Sequence, residues 1–155
     1  TMNYAALLGR IEVERADLER LVSRAESLMD KARKTGDDGY LDAVALNLHG
    51  FYTGVERIFK DIARSLDDSV PAGPDWHKRL LLQMAAEISD VRPAVIRPET
   101  RYCLDEYRGF RHIVRNVYTF QLRFSRVAEL ADRLRMCYEA VTADMEALAG
   151  FLREL

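Results

Sequence analysis

The chain has 155 residues, 48% of them hydrophobic, and a formal net charge of −2 at pH 7. That length is enough for one domain with a substantial core and too short for two, so we expect a single domain over residues 1–155. The slightly acidic balance excludes a generally basic surface of the kind that coats nucleic acids, and any anion site must therefore be local.

Composition also indicates where the protein works. No uninterrupted apolar run approaches the roughly 20 residues needed to cross a bilayer, and we expect neither a membrane span nor a secretory leader. Cys103 and Cys137 are the two cysteines, and both lie within helical patterns. We therefore expect reduced thiols in a cytoplasmic protein that does not contact membranes.

Apolar residues recur at steps of three and four along almost the whole chain, and no stretch alternates as a β-strand would. The first such stretch, residues 18–32, stops before the turn signal GDDG at 36–39, and a second covers residues 45–66. Two long helices joined by a tight turn should form an antiparallel hairpin.

Two proline-containing segments divide the rest of the chain. Residues 67–75 should end the second helix, a short helix should begin near Trp76, and Pro93 and Pro98 should make the next segment irregular. A fourth helix is predicted from about Glu99 to Gln121, and a fifth from an N-cap at Ser125 to the C-terminus. The predicted fold is all-α, an antiparallel bundle of four long helices plus one short helix.

The predicted fourth helix contains an unusual polar stretch, YRGFRHIVRNVY at residues 107–118. At about 100° per residue, one side of this helix collects six polar side chains: Arg108, Arg111, His112, Arg115, Asn116 and Tyr118. The other side collects the apolar residues expected to face the core: Cys103, Phe110, Ile113, Val114, Val117 and Phe120. We therefore expect the polar cluster to face outward.

Positive charge is concentrated in the same part of the chain. The protein has 19 arginines and 4 lysines, and residues 101–126 contain six arginines against Asp105 and Glu106, a net charge of +4. Arginines on one stripe repel each other, and an anion or an acidic partner would relieve that cost. The alternative is a solvated helix face with partners such as Asp105, three residues before Arg108.

Arg111, Asn116 and Tyr118 have the spacing Arg-x4-Asn-x-Tyr, which resembles the Arg-x4-His-x-Tyr motif of the HEPN superfamily, and of its HepT-like branch in particular. The segments LNLHGFYTGVERIFKDIA, PAGPDWHKRLLLQM and FRHIVRNVYTF also look like HepT-like proteins, in the same order along the chain. The likeness covers about residues 40–130.

This resemblance implies an activity and partners. HepT-like proteins cleave RNA without a metal at a composite site across a homodimer, and they act as toxins beside a small nucleotidyltransferase antitoxin that modifies the motif tyrosine and silences the site. On this chain, Arg111 would bind the scissile phosphate and Tyr118 would be the modified phenol. No cofactor is implied, and the expected partners are a second copy of the chain, a cognate small nucleotidyltransferase and RNA.

The chain departs from the family motif at one position. Asn116 stands where the family has histidine, whereas His112 directly follows Arg111, as if the two residues were exchanged. An amide cannot titrate, but His112 can do so near neutral pH, and Asn116 lies one helical turn away to orient it. We therefore expect a catalytic set of Arg111, His112 and Asn116. Arg108 and Arg115 are expected to bind RNA phosphates.

Other interpretations remain open. The exchanged motif also fits a site that has lost cleavage, in a non-catalytic helical partner of a nucleotidyltransferase or in a protein that binds RNA without chemistry. His112 fits equally well as a hydrogen-bonding residue of a dimer interface. His49 and His77 are expected to be structural. No pattern of cysteine, histidine and acidic residues predicts a metal site.

Overall fold

The computed structural model describes residues 3–116, 118 and 122–155. The five α-helices, in chain order, are α1 (Ala5–Thr35), α2 (Asp38–Ile62), α3 (Trp76–Ala85), α4 (Pro98–Asn116) and α5 (Phe124–Arg153). One π-helical turn, Ala63–Asp67, continues α2. The part of the chain that the structure describes contains no strand, and the predicted all-α bundle of four long helices and one short helix is confirmed.

The α1–α2 hairpin forms as predicted, with a shorter turn. Gly36 ends α1 in a left-handed conformation at φ 70°, where its N–H donates to the Ala32 carbonyl at 2.9 Å. Asp37 then caps α2 by accepting a 2.8 Å hydrogen bond from the Gly39 N–H. The turn is only two residues long because α2 begins inside the predicted GDDG signal.

α1 and α2 run antiparallel and close together. Arg10 near the start of α1 pairs with Asp61 near the end of α2, with Nε and Oδ2 2.7 Å apart. At the middle of the hairpin, a Cβ atom added to Gly54 would lie 2.6 Å from Leu18 Cδ2. A glycine at this position therefore lets the two helices approach.

α2 lies at the centre of the bundle and contacts each of the other helices. Tyr107 of α4 packs edge-on against Phe51 of α2, with ring centroids 5.5 Å apart. The Tyr107 hydroxyl donates to the Leu130 carbonyl of α5 at 2.7 Å. These contacts hold α4 between α2 and α5 and determine which face of α4 points inward.

The segment between α2 and α4 is tied down by a buried ion pair. Arg92 lies directly before Pro93, in the segment predicted to be irregular. It pairs with Asp67 at the end of the π-helical turn, with Arg92 Nε and Asp67 Oδ1 2.7 Å apart. α3 begins at Trp76 as predicted, and α4 begins at Pro98, the helix position where a missing N–H has no cost.

The inward face of α4 differs from the prediction. Its buried residues are Thr100, Leu104, Tyr107 and Phe110. Among the other residues expected in the core, Cys103 and Val114 are half-buried, and Ile113 is 44% exposed. Val117 and Phe120 lie outside the described residues. Leu104 and Tyr107 make the contacts with the core, and they precede Arg111 by seven and four residues. The buried face of α4 is therefore rotated toward Arg111.

No helix in the described ranges is long and apolar enough to cross a membrane.

Candidate functional site

The predicted outward cluster on α4 divides into an inner and an outer part. Arg111 does not face outward, since its side chain is only 14% exposed and points toward α2 and α3. His112, Arg115 and Asn116 are exposed, as predicted. The rotation of α4 explains the difference, because it places Arg111 at the edge of the buried face.

Arg111 meets a buried carboxylate on α2. Glu56 is 3% exposed, and its Oε1 lies 3.7 Å from Arg111 Nη1. Its other oxygen, Oε2, lies 2.5 Å from Nδ1 of His77, at the start of α3. A buried carboxylate is costly unless it is paired and hydrogen-bonded. Glu56 has a partner at each oxygen.

The contact between Arg111 and His77 is a stacking contact. Nη1 of Arg111 is 2.9 Å from both ring nitrogens of His77. Cε1 lies between the two ring nitrogens. An Nη1 atom equally close to both nitrogens and in the plane of the ring would collide with Cε1. Nη1 must therefore lie over the face of the ring. The lone pair of a ring nitrogen lies in the plane, and Arg111 therefore leaves Nε2 open along its hydrogen-bonding direction.

Trp76 also stacks on His77. The rings of Trp76 and His77 have centroids 3.5 Å apart, and Lys60 Nζ lies 3.7 Å from the Trp76 centroid. Such cation–π contacts restrict the ring that they cover. The His77 imidazole is thus fixed by Glu56, Trp76 and Arg111 together.

Arg111 is not fully satisfied by these partners. Its Nε is buried and has no hydrogen-bond partner among the residues that the structure describes. Buried polar atoms without partners are rare in folded proteins, and each one calls for an explanation. The guanidinium therefore keeps donor capacity beyond its contacts within the chain.

His49 also lies near these arginines. It precedes Glu56 by seven residues on α2, which places the two on one face of that helix. Burial, together with the charges of Arg111 and Arg115, holds the pKa of His49 below its ordinary value. All three histidines of the chain are thus associated with the arginine cluster, since His112 follows Arg111 directly.

The outer part of the site carries the exposed polar groups. The Asn116 amide donates to the His112 carbonyl at 2.7 Å and lies 3.4 Å from His112 Nδ1. Arg108 donates to Asp105 at 2.7 Å. Among the described residues, no carboxylate lies within ion-pair distance of Arg115. The expected repulsion between arginines is therefore partly relieved inside the chain, by Asp105 and Glu56, and Arg115 keeps an uncompensated charge.

Tyr118 does not occupy the predicted helical position. The structure describes α4 to Asn116, and Tyr118 lies outside any helix with 71% of its surface exposed. The prediction that Tyr118 shares one helix face with Arg111 is therefore wrong. Aromatic residues such as Tyr118 have low helix propensity, a weakness that periodicity alone does not register.

Two side chains of the inner site were not predicted. Glu56 and His77 are 21 residues apart in sequence and 34 or more residues from Arg111, so no local motif connects all three. One signal was present: Glu56 stands four residues after Tyr52 and three before Phe59, within an apolar stripe. An acid at such a position indicates a buried partner.

Metal ligands do not cluster in the described ranges. Within residues 3–116, 118 and 122–155, no group of three or more histidine, cysteine, aspartate or glutamate side chains is placed to hold a metal ion.

Comparison with known families assigns the chain to a class. A family model for HepT-like protein matches residues 43–152. The match covers α5, α4, α3 and most of α2, including the whole arginine site. The protein belongs to the HepT-like family of the HEPN superfamily. No curated protein and no solved structure matches the chain significantly.

Proposed function

We propose that this protein is a HEPN-type ribonuclease, the toxin of a toxin–antitoxin module, which cleaves RNA without a metal. The observation that supports this most is that an exposed histidine, His112, directly follows an under-satisfied arginine, Arg111, on one helix of a HepT-like chain. RNA cleavage through the 2′-hydroxyl needs a titrating group and a cationic donor at the phosphate, and these residues offer both.

Each site residue has a role in the proposal. Arg111 contacts the scissile phosphate with its remaining donors, and His112 transfers a proton. Asn116, which donates to the His112 carbonyl, holds the turn of α4 that presents the imidazole. Arg115 and Arg108 bind neighbouring RNA phosphates, Arg115 more strongly because no carboxylate neutralises it.

The proposed active form is a homodimer with α4 near its two-fold axis. Ile113 near the end of α4 and Phe124 at the start of α5 are exposed apolar side chains, which a second copy would cover. Tyr118 lies close to them in sequence, and its exposure would let a cognate small nucleotidyltransferase reach the phenol. Modification of Tyr118, three residues after Arg115 in the sequence, would block RNA and silence the toxin.

The first test is cleavage of a mixed tRNA and messenger RNA pool by purified dimeric protein in EDTA. The wild type is expected to cut RNA. His112→Ala is expected to lose about 10²- to 10⁴-fold of the rate, the usual contribution of a general acid or base. Arg111→Ala is expected to lose about 10²- to 10³-fold, since it removes donors aimed at the phosphate.

Two controls sharpen this test. Arg20→Ala, on the exposed side of α1, should cleave like the wild type. The double variant His112→Asn with Asn116→His restores the family order, and it should recover cleavage that His112→Asn alone loses, because both positions are exposed on adjacent turns. Cleavage that survives unchanged in His112→Ala would contradict the proposed role of His112.

A second candidate function has its own support. Asn116 replaces the motif histidine, and Glu56 offsets the charge of Arg111. Both features suit a non-catalytic partner that binds a nucleotidyltransferase without cutting RNA. A folded wild-type dimer, free of Tyr118 modification, that forms a stable complex with the nucleotidyltransferase and cleaves no RNA would favour this candidate.

A further inference from the structure

RNA cleavage by the 2′-hydroxyl requires two proton transfers, one from the attacking 2′-oxygen and one to the departing 5′-oxygen. His112 accounts for one of them in the proposed function. Asn116 has no titratable proton, so the chain needs another group near Arg111 for the second transfer.

His77 has the surroundings of a catalytic base. Its Nδ1 lies 2.5 Å from the buried carboxylate of Glu56, which accepts the Nδ1–H. When Nδ1 of a neutral imidazole ring carries the hydrogen, the lone pair that can accept a proton is on Nε2. A buried carboxylate on Nδ1 also fixes the ring orientation and stabilises the imidazolium that forms when Nε2 takes a proton.

His77 is also open enough to reach a substrate. Its side chain is 22% exposed, whereas Glu56 behind it is almost fully buried. Arg111 lies over the ring face at 2.9 Å and does not occupy the in-plane direction of Nε2. A phosphate bound by the guanidinium of Arg111 would therefore lie next to His77.

We propose that His77, held by Glu56, is a second catalytic residue of this protein and acts as the general base for RNA cleavage beside Arg111. This inference rests on the ribonuclease function proposed above. Glu56 is a positioning residue, since it acts through His77.

The step balances with these two histidines. His77 Nε2 takes the proton of the 2′-hydroxyl, and the 2′-oxygen forms a bond to phosphorus while the bond from phosphorus to the 5′-oxygen breaks. The products are a 2′,3′-cyclic phosphate and a 5′-hydroxyl, whose proton comes from protonated His112. Water then removes the proton from His77 and returns one to His112.

The test uses an oligonucleotide that spans a cleavage site mapped in the tRNA pool, in two forms. One has the natural 5′-oxygen at the scissile bond, and the other has sulfur there, which departs without needing a proton. On the oxygen substrate, His77→Gln and His112→Ala should each slow cleavage by about 10²- to 10⁴-fold. On the sulfur substrate His112→Ala should recover its rate, and His77→Gln should stay slow.

Binding separates a base from a purely structural residue. An uncleavable RNA with 2′-deoxyribose at the scissile position should bind His77→Gln as tightly as the wild type, because Arg111 and Arg115 are unchanged. Glu56→Gln keeps an acceptor for Nδ1–H but loses the charge, so it should show a partial loss of rate with normal binding. It also serves as the second variant if His77→Gln does not fold.

The outcomes are distinguishable. Wild-type rates in His77→Gln would overturn the role of His77 and leave the ribonuclease proposal intact. Matched losses of binding and cleavage in His77→Gln would also overturn it, because they would show that the ring only supports Arg111. Recovery of His77→Gln on the sulfur substrate would assign it as an acid and contradict the base role. A wild type that cleaves no RNA would refute the proposed function and this inference together.

Discussion

Arg92 and Arg111 each meet a buried carboxylate, and they differ in how completely they are satisfied. Arg92 and its partner Asp67 have 0% and 1% of their side chains exposed. Arg92 donates through Nε and Nη2 to Asp67 and through Nη1 to two backbone carbonyls, and Nη2 also reaches the Gln83 carbonyl. A guanidinium has five N–H donors, and all five of Arg92 are used.

The surroundings of Arg111 differ from those of Arg92. It is partly exposed, its carboxylate contact with Glu56 is 3.7 Å long, and its Nη1 stacks on His77. Its Nε is buried without a hydrogen-bond partner in the described part of the chain. The chain therefore leaves donors of Arg111 unused.

The comparison separates a saturated arginine from an under-satisfied one. A saturated guanidinium can only hold the chain together, because no donor remains for a ligand. An under-satisfied one lowers stability, because a buried unpaired donor is costly, and an anion that reached this donor would offset the cost. Burial of an arginine is therefore less informative than a count of its unused donors.

The largest expected effect on stability is at Arg92. Arg92→Ala leaves the buried Asp67 carboxylate without its cation and should lower the free energy of unfolding by about 3–5 kcal/mol. Urea denaturation of the purified variant measures this loss. Arg10→Ala, which breaks the exposed pair with Asp61, is the matched control and should cost about 0–1 kcal/mol. Equal losses of unfolding free energy in the two variants would show that the buried pair of Arg92 contributes no more than an exposed pair.

The smallest expected effect is at Arg115, an exposed arginine of α4 with no carboxylate within ion-pair distance among the described residues. Arg115→Ala should weaken binding of uncleavable single-stranded RNA and reduce the slope of log affinity against log salt by about 0.7, the contribution of one phosphate contact. Fluorescence anisotropy at several salt concentrations measures that slope. Arg20→Ala, remote on α1, should keep the wild-type slope. An unchanged slope in Arg115→Ala would exclude a phosphate contact there.

Most of the fold followed from local sequence features. Gly36 ends α1, and the prolines at 93 and 98 delimit the irregular segment, because glycine and proline set the backbone conformation at their own positions. The start of α5 was less exact. Ser125, the predicted N-cap, lies inside α5, which begins at Phe124 without a side-chain cap.

The inner site did not follow from the sequence. The apolar residues Ile113, Val117 and Phe120 suggested one buried side of α4, but Leu104 and Tyr107 fix the helix with another side inward. Periodicity shows that a helix has an apolar side, and it does not show which neighbour covers that side. The meeting of Arg111 with Glu56 and His77 depends on how α2, α3 and α4 pack, and it is therefore a property of the tertiary structure.

The most direct test of a functional Arg111 is a paired measurement on Arg111→Lys and Arg92→Lys. Lysine keeps the charge and loses the planar fork of donors. RNA cleavage in EDTA and the urea midpoint would be measured for both variants. Arg111→Lys is expected to lose about 10²- to 10³-fold of the cleavage rate with little change in midpoint. Arg92→Lys is expected to lower the midpoint and keep the cleavage rate of the folded fraction. Full cleavage by Arg111→Lys, together with a midpoint lowered as far as in Arg92→Lys, would contradict the account and make Arg111 a second structural arginine.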